Sequence, residues 1–535
     1  MGFTVRLEER ITLSQVAEAV RLRFPVDLDE HSWRRVAESR SLLDRFVADD
    51  RIIYGVTTSM GGFAHHLVPS TDAQQLQENL INAVATNVGA YLDEDTTRAI
   101  MIARVVSLSL GNSAISSENL EIYLGMLNAG VIPCIPEKGS LGTSGDLGPL
   151  AYIALVSIGQ WKARYGGEIL HGGEALRRAG LTPARLSYKE GLAMINGTAG
   201  MVGIALLTYH TARRMVELYH VISALSIEGL AGIVDPFHPQ VHTVKLHRGQ
   251  ADVAARIYNG LRDSTMARDE RSIEAALVAR RDGSSVITTS GLAEEKMAIE
   301  DAYSIRCTPQ ILGPVVDSLD WIATTIENEL NSTSDNPIIV PDVGEAFHNG
   351  HFHGQYIAMA MDHLGIALTT VTNLANRRVD RFLDQSNSNG LPPFLCQDNP
   401  GLRLGLMGGQ FMTASVTAET RALTVPLSIQ SLSTTADFQD IVSFGFVAAR
   451  RAREILRNTA YVVAFELLCA CQAADIRGID GLSSWTRPLY ERVRRIVPYL
   501  DHDITITEYI ESLASFLLSS EADDFTAVPN TDKSP

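Results

Sequence analysis

Eight apolar residues, Ile357, Met361, Leu364, Leu368, Val371, Ala375, Val379 and Phe382, follow one another at intervals of three and four. Only the 3.6-residue period of a helix gathers such a series on one face. The stripe is about seven turns long, and a helix of about 30 residues outruns the usual globular length. It needs partners of similar length to cover it, which predicts a large helical bundle. Two further long patterns predict those partners. One runs from about Thr198 to Ser226, the other from about Phe438 through "VAARRAREILRNTAYVVAFELLCACQAADI". Strand-like alternation is scarce, so the expected fold class is all-α. The expected organisation is a loop-rich N-terminal domain over residues 1–200, a central helical bundle over 201–480 and a C-terminal helical cap over 481–520. A disordered tail is expected over 521–535, where the chain turns polar and contains proline.

Bulk composition narrows the function classes. Apolar residues make up 45% and charged residues 20% of 535 positions, enough for a sizeable core. A net charge of -17 repels phosphate backbones and anionic lipid, which argues against nucleic-acid and membrane partners. The five cysteines, Cys134, Cys307, Cys396, Cys469 and Cys471, are scattered and form no CxxC pair. Neither a disulfide framework nor a thiolate zinc site is expected, and a reducing cytoplasm is. The start, "MGFTVRLEERITLSQ", has no apolar core of signal-peptide length, and the apolar run after Leu147 ends at Trp161, too short for a bilayer.

The stretch "PEKGSLGTSGDLGPLAY" places glycine at every third position, Gly139, Gly142, Gly145 and Gly148, around Thr143 and Ser144. Three readings compete. A phosphate loop fails on pattern, because no Gly-Lys-Ser/Thr follows and G-x-G-x-x-G is unmet. A glycine-rich turn ahead of a buried helix is the plain structural reading. The third reading is backbone self-modification. Gly145 has the least hindered amide nitrogen, and glycine permits the tight dihedrals that carry it onto the carbonyl carbon of Thr143. Ring closure with loss of water, then loss of the Ser144 hydroxyl, leaves an electrophilic methylidene-imidazolone that no ordinary side chain supplies. This accounts for both the flexibility and the serine.

Other stretches have plain readings from their residues alone. In "IIYGVTTSMGGF", Tyr54 beside glycine is a packed aromatic, and an unperturbed phenol is a poor base unless donors favour its phenolate. In "EDAYSIRC", Arg306 pairs with Glu300 or Asp301 on the surface. In "AMINGTAG", Asn196 is a candidate helix cap. In "FHNGHFHG", His348, His351 and His353 suggest a metal, but the spacing is glycine-broken and unlike the i,i+4 zinc pattern, so no metal site is expected.

Together with "NLINAVATNVGAYLD", "IEDAYSIRCTPQILGPV", "NRRVDRFLDQSNSNGLP" and "FQDIVSFGFVAARR", these stretches resemble the ammonia-lyase and aminomutase family that carries the 4-methylidene-imidazol-5-one group, MIO. The resemblance covers about residue 5 to residue 515. It implies an all-α fold of the fumarase/aspartase-like superfamily, and a homotetramer with sites shared between chains. It also implies an MIO formed from Thr143, Ser144 and Gly145, with no metal or nucleotide. Where the family usually has Ala-Ser-Gly, the Thr-Ser-Gly triad resembles a subgroup acting on phenylalanine.

By the same resemblance Tyr54 takes the β-proton and Tyr303 sits on a loop over the ring. Arg306 holds the substrate carboxylate, and Asn196, Asn336, Phe352 and Gln439 lie near the ring or substrate. Ala83 and Val84 match positions where tyrosine-specific relatives often carry histidine, which favours L-phenylalanine. The implied products are trans-cinnamate, and β-phenylalanine where the amine re-adds, in secondary metabolism. A tyrosine or histidine ammonia-lyase is the alternative within the family; a metal-dependent hydrolase or a helical scaffold is the alternative outside it. Three places depart from the family pattern: Ser334 replaces an asparagine, Phe438 replaces an asparagine, and "RRDGSSVITTSGLAEEKM" on the mobile inner loop matches least.

Overall fold

The computed structural model describes residues 2–280 and 299–528, and the backbone of 286–287 and 293–294. The expected inner loop, 280–297, therefore lies almost wholly outside the described residues, as does 529–535. At the tail, Ser520–Phe525 forms a 3-10 helix and Ala522 is buried, so order extends past the expected boundary at 521.

Four helices dominate: Ala199–Gly229, Thr308–Leu330, Gln355–Leu383 and Gly445–Arg477. All eight residues of the 357–382 stripe are fully buried, while Tyr356, Met359 and Ile366 on the same helix are exposed. Each large apolar side chain removed from water contributes ~1.5–3 kcal/mol, so burial of this stripe is what holds so long a helix. The pattern after Phe438 begins later than its period suggests. Thr435, Ala436 and Asp437 hold φ of 56, 52 and 62, which a right-handed helix cannot contain, and the helix starts at Gly445. Described strands run only two to four residues, in small paired sheets. Among the described residues one helix, Gly445–Arg477, is long and apolar enough to cross a membrane, and 83% of its apolar window is buried within the protein.

The chain divides into two compact units. The first gathers Met1–His210, Trp321–Leu364 and Val425–Arg453; the second gathers Thr211–Asp320, Gly365–Thr424 and Glu454–Pro535. Contiguous domains were the expectation, but two later segments return to the N-terminal unit. Four of the five boundaries fall inside the long helices, where sequence offers no linker to mark them.

In the first unit, Leu42, Leu43 and Phe46 of helix Glu30–Ala48 pack with Ile53, Val56, Ala114 and Ile339. Helix Glu94–Ser109 is buried from Thr96 onward. Asp29, Asp93 and Ser116 cap helix N-termini by accepting from the backbone N–H three residues on. Each such cap contributes ~1 kcal/mol. This frame carries the glycine-rich loop.

The second unit is built around a buried ion pair. Arg378 and Glu466 meet at 3.0 Å with no solvent exposure. Glu466 also accepts from the hydroxyls of Tyr219 and Ser226, each at 2.7 Å. Arg378 donates to Ser223 Oγ, Thr308 Oγ1 and the Ser304 carbonyl. Breaking such a pair from one side strands a charge without water. Arg378→Met is expected to cost ~3–5 kcal/mol by that argument, read as a lowered denaturant midpoint, whereas Arg378→Lys keeps much of it.

Candidate active site

The glycine-rich loop is pinned on both sides of its triad. The Gly142 carbonyl accepts from Ser443 Oγ at 2.8 Å and Gly354 N–H at 3.1 Å, and the Leu141 carbonyl accepts from Phe444 N–H at 2.8 Å. Asp146 N–H donates to the Gly197 carbonyl at 2.8 Å. Gly145 holds φ +68, and a Cβ there would stand 2.0 Å from that same carbonyl oxygen. No side chain fits, and the left-handed φ is glycine's. Thr143, Ser144 and Gly145 are thus presented as a short bridge between fixed ends.

Ser144 sits at the wall of a cavity of about 1190 Å³. Its Oγ accepts from Gln439 Nε2 at 2.8 Å and its carbonyl from Asn196 Nδ2 at 3.0 Å. Gln439 reaches Ser144 from a tight turn closed by paired backbone bonds between Thr434 and Gln439, across the three left-handed residues 435–437. Asn196 follows helix Glu190–Ile195 directly, as its C-cap. Tyr54 lines the same cavity. Its hydroxyl accepts from Gly61 N–H at 2.9 Å, and its backbone N–H donates to His348 Nε2 at 3.1 Å. Burial pushes the phenol above its ordinary range, and the Gly61 donor opposes this without overcoming it.

Of the residues singled out from sequence, Tyr54, Ala83, Val84, Ser144, Asn196, Asn336, Phe352 and Gln439 line this one cavity. Thr143 and Gly145 line a smaller pocket of about 290 Å³ that also borders Ser144 and Gln439. Tyr303 and Arg306 are not in the lining. They belong to the second unit, on helix Tyr303–Arg306, where Arg306 pairs with Glu300 at 3.0 Å and its guanidinium lies 5.0 Å from the Tyr303 ring centre. Within one chain the surface-pair reading of Arg306 is the geometry found. Among the described residues no group of three His, Cys, Asp or Glu side chains could hold a metal ion.

Several contributors were not assigned a role from sequence. Phe438, noted only as a departure, stacks on Tyr54 with ring centres 6.3 Å apart and planes 8° from parallel. Ser334, another departure, accepts from Thr198 N–H at 3.2 Å. Asp146 is the only acid in an otherwise uncharged run from Gly139 to Tyr152, the one signal that marks it in the sequence. It is fully buried and accepts from Ser140 Oγ at 2.8 Å and Met201 N–H at 2.6 Å. Burial lifts its carboxyl from 3.8 to about 7 despite these donors. The folded state therefore holds a proton that the unfolded chain has lost through the window between those values, and stability falls as pH rises across it. Asp146→Asn is expected to flatten the fall in melting temperature across that window; an unchanged slope would contradict the assignment.

Known proteins resemble the chain over nearly its whole length. A phenylalanine aminomutase of Pantoea agglomerans is 58% identical in sequence and superposes with a TM-score of 0.94, covering 98% of this chain and all of that one. A tyrosine ammonia-lyase of Cupriavidus metallidurans is 40% identical over 510 residues, 95% of this chain and 94% of its own. A histidine ammonia-lyase of Caldanaerobacter subterraneus is 38% identical over 506 residues, 95% of this chain and 94% of its own. The aromatic amino acid lyase family matches residues 11–495, and the chain belongs to that family, as an enzyme of the ammonia-lyase and aminomutase kind.

Proposed function

We propose that the chain eliminates ammonia from L-phenylalanine to give trans-cinnamate, and re-adds it at the β-carbon to give β-phenylalanine, in secondary metabolism in the cytoplasm. The observation that carries this reading is the placement of Ser144 at the wall of a largely apolar cavity, with Tyr54 and the apolar Ala83 and Val84 lining the same space. The triad fits an MIO. Gly145 is confined to a glycine-only conformation, and the loop is fixed at Gly142 and Asp146 while the triad between them is held through Ser144. The ring supplies an electrophile for the substrate amine, which makes the nitrogen a better leaving group.

The residues of the chain do the rest. Tyr54 takes the β-proton, the electrons of that C–H bond become the new C=C bond, and nitrogen departs with the C–N pair. The Gly61 N–H stabilises the phenolate that this step requires. Asn196 and Gln439 grip Ser144, and Asn336 offers its amide to the substrate. Phe352 and Phe438 flank the aromatic ring together with Ala83 and Val84. In a homotetramer, Tyr303 and Arg306 of a neighbouring copy complete the site, Arg306 forking onto the carboxylate.

The named relatives act on phenylalanine, tyrosine and histidine, so the ring side of the cavity decides the substrate. The Ala83 and Val84 side chains themselves offer a phenolic hydroxyl no partner, a loss of ~1–3 kcal/mol relative to a histidine there. L-phenylalanine is therefore expected to be favoured over L-tyrosine by roughly 5- to 150-fold in kcat/KM. Timed assays of cinnamate, coumarate, urocanate and both β-phenylalanine enantiomers test this, and equal turnover of tyrosine would refute it. Tyr54→Phe is expected to lower kcat by ~100-fold or more while the mass deficit of two waters persists. Because the reactive form is the phenolate, wild-type kcat/KM should fall as pH drops through the phenol's pKa; a profile without that acid limb would remove Tyr54 as the base.

A further inference from the structure

Beneath Asn196 and Asn336 lies a buried ion pair that the catalytic reading does not use. Lys189 Nζ meets Asp335 Oδ2 at 2.7 Å, and neither side chain has any solvent exposure. The ammonium also donates to the Ser113 carbonyl at 2.8 Å. Such a pair is a poor source of stability, since its desolvation cost rivals its attraction. Lys189 also holds φ +66, a region strained for a residue with a side chain.

The pair leads by hydrogen bonds to the triad. The free oxygen of the Asp335 carboxylate, Oδ1, accepts from Asn336 N–H at 2.7 Å. That same N–H donates to Asn196 Oδ1 at 2.8 Å. With its oxygen so engaged, the Asn196 amide turns its NH2 to the Ser144 carbonyl, 3.0 Å away. The Asn336 side-chain oxygen accepts from Asn349 N–H at 2.7 Å, which leaves its NH2 for the cavity that Asn336 lines.

We propose that Lys189 and Asp335 are positioning residues: their buried ion pair fixes the orientation of the Asn196 and Asn336 amides, one toward Ser144 and one toward the substrate. An amide has two faces that differ little in shape, so packing alone does not choose between them. The carboxylate chooses by holding the Asn336 N–H, and Lys189 holds the carboxylate. This inference rests on the reading of the site proposed above.

The test compares Lys189→Arg, Asp335→Glu and the apolar double variant Lys189→Met with Asp335→Leu. Melting temperature, intact mass, kcat and KM are measured on each, and the double variant is crystallised. If the pair only served stability, the double variant would recover melting, full loss of two waters and turnover together. The expected result is different. The double variant, which also takes the Asp335 carboxylate away from the buried Arg104 guanidinium, melts below the wild type, and much of its folded fraction keeps both waters. Its cyclised fraction shows kcat lowered by about 100-fold, with KM for L-phenylalanine raised several-fold. Its crystals show the Asn196 amide withdrawn from hydrogen-bond distance of the Ser144 carbonyl. Lys189→Arg keeps near-native values, while Asp335→Glu keeps the charges but shifts the oxygen, and loses kcat with little loss of melting. A double variant with wild-type mass, kcat and amide orientation would overturn the proposal. A wild-type chain that kept both waters would instead overturn the proposed function, and the amide orientation in the crystals would still decide this inference.

Discussion

The carbonyl oxygen of Gly197 stands where a side chain at residue 145 would begin. That approach decides what can occupy position 145, and it also supplies the acceptor for Asp146 N–H that ends the loop. At the other end Gly142 is held by Ser443 and Gly354, which come from distant parts of the chain. Between these anchors the triad meets two side-chain amides, Asn196 and Gln439, both directed at Ser144. The loop is thus flexible in sequence and confined in structure. Glycine serves here to allow close approach, and the surrounding hydrogen bonds remove the freedom that glycine brings.

Much of this was legible in the chain, for reasons that differ from residue to residue. Helix Gln355–Leu383 could be read because its buried face is a local period, and every member of the predicted stripe is buried. The triad could be singled out because a serine between small residues amid regular glycines is unusual, and the resemblance to the MIO family chose among its three readings. The turn at 434–439 could not. Nothing in Thr435, Ala436 or Asp437 announces a left-handed run, and a β-branched residue there goes against local preference. Strain of ~1–3 kcal/mol per residue is accepted where it delivers Gln439 to Ser144 and Phe438 to Tyr54. The Lys189–Asp335 pair was hidden for another reason, since its partners are 146 residues apart and each alone looks like an ordinary surface charge. The unit boundaries were hidden because they fall within helices whose hydrophobic period continues unbroken.

Two requirements of the proposed chemistry converge on a single group. The cavity lining contains no lysine or arginine among the described residues, and His348 is engaged as an acceptor from the Tyr54 backbone. A substrate carboxylate entering such a space loses water without gaining a cation, at a cost of several kcal/mol. Tyr54 meets the same deficit from the opposite side. Its phenolate has a single backbone donor, and burial outweighs it. A guanidinium brought to the cavity would pair with the carboxylate and, within a few ångströms of Tyr54, lower the phenol's pKa as well. Under the proposed assembly Arg306 of a neighbouring copy is that group, so substrate binding and base activation depend on the same contact. Its ion pair with Glu300 within one chain is exposed enough to be exchanged cheaply for a buried carboxylate partner. On that proposal proton abstraction is coupled to assembly, because burial within one chain favours the protonated phenol of Tyr54.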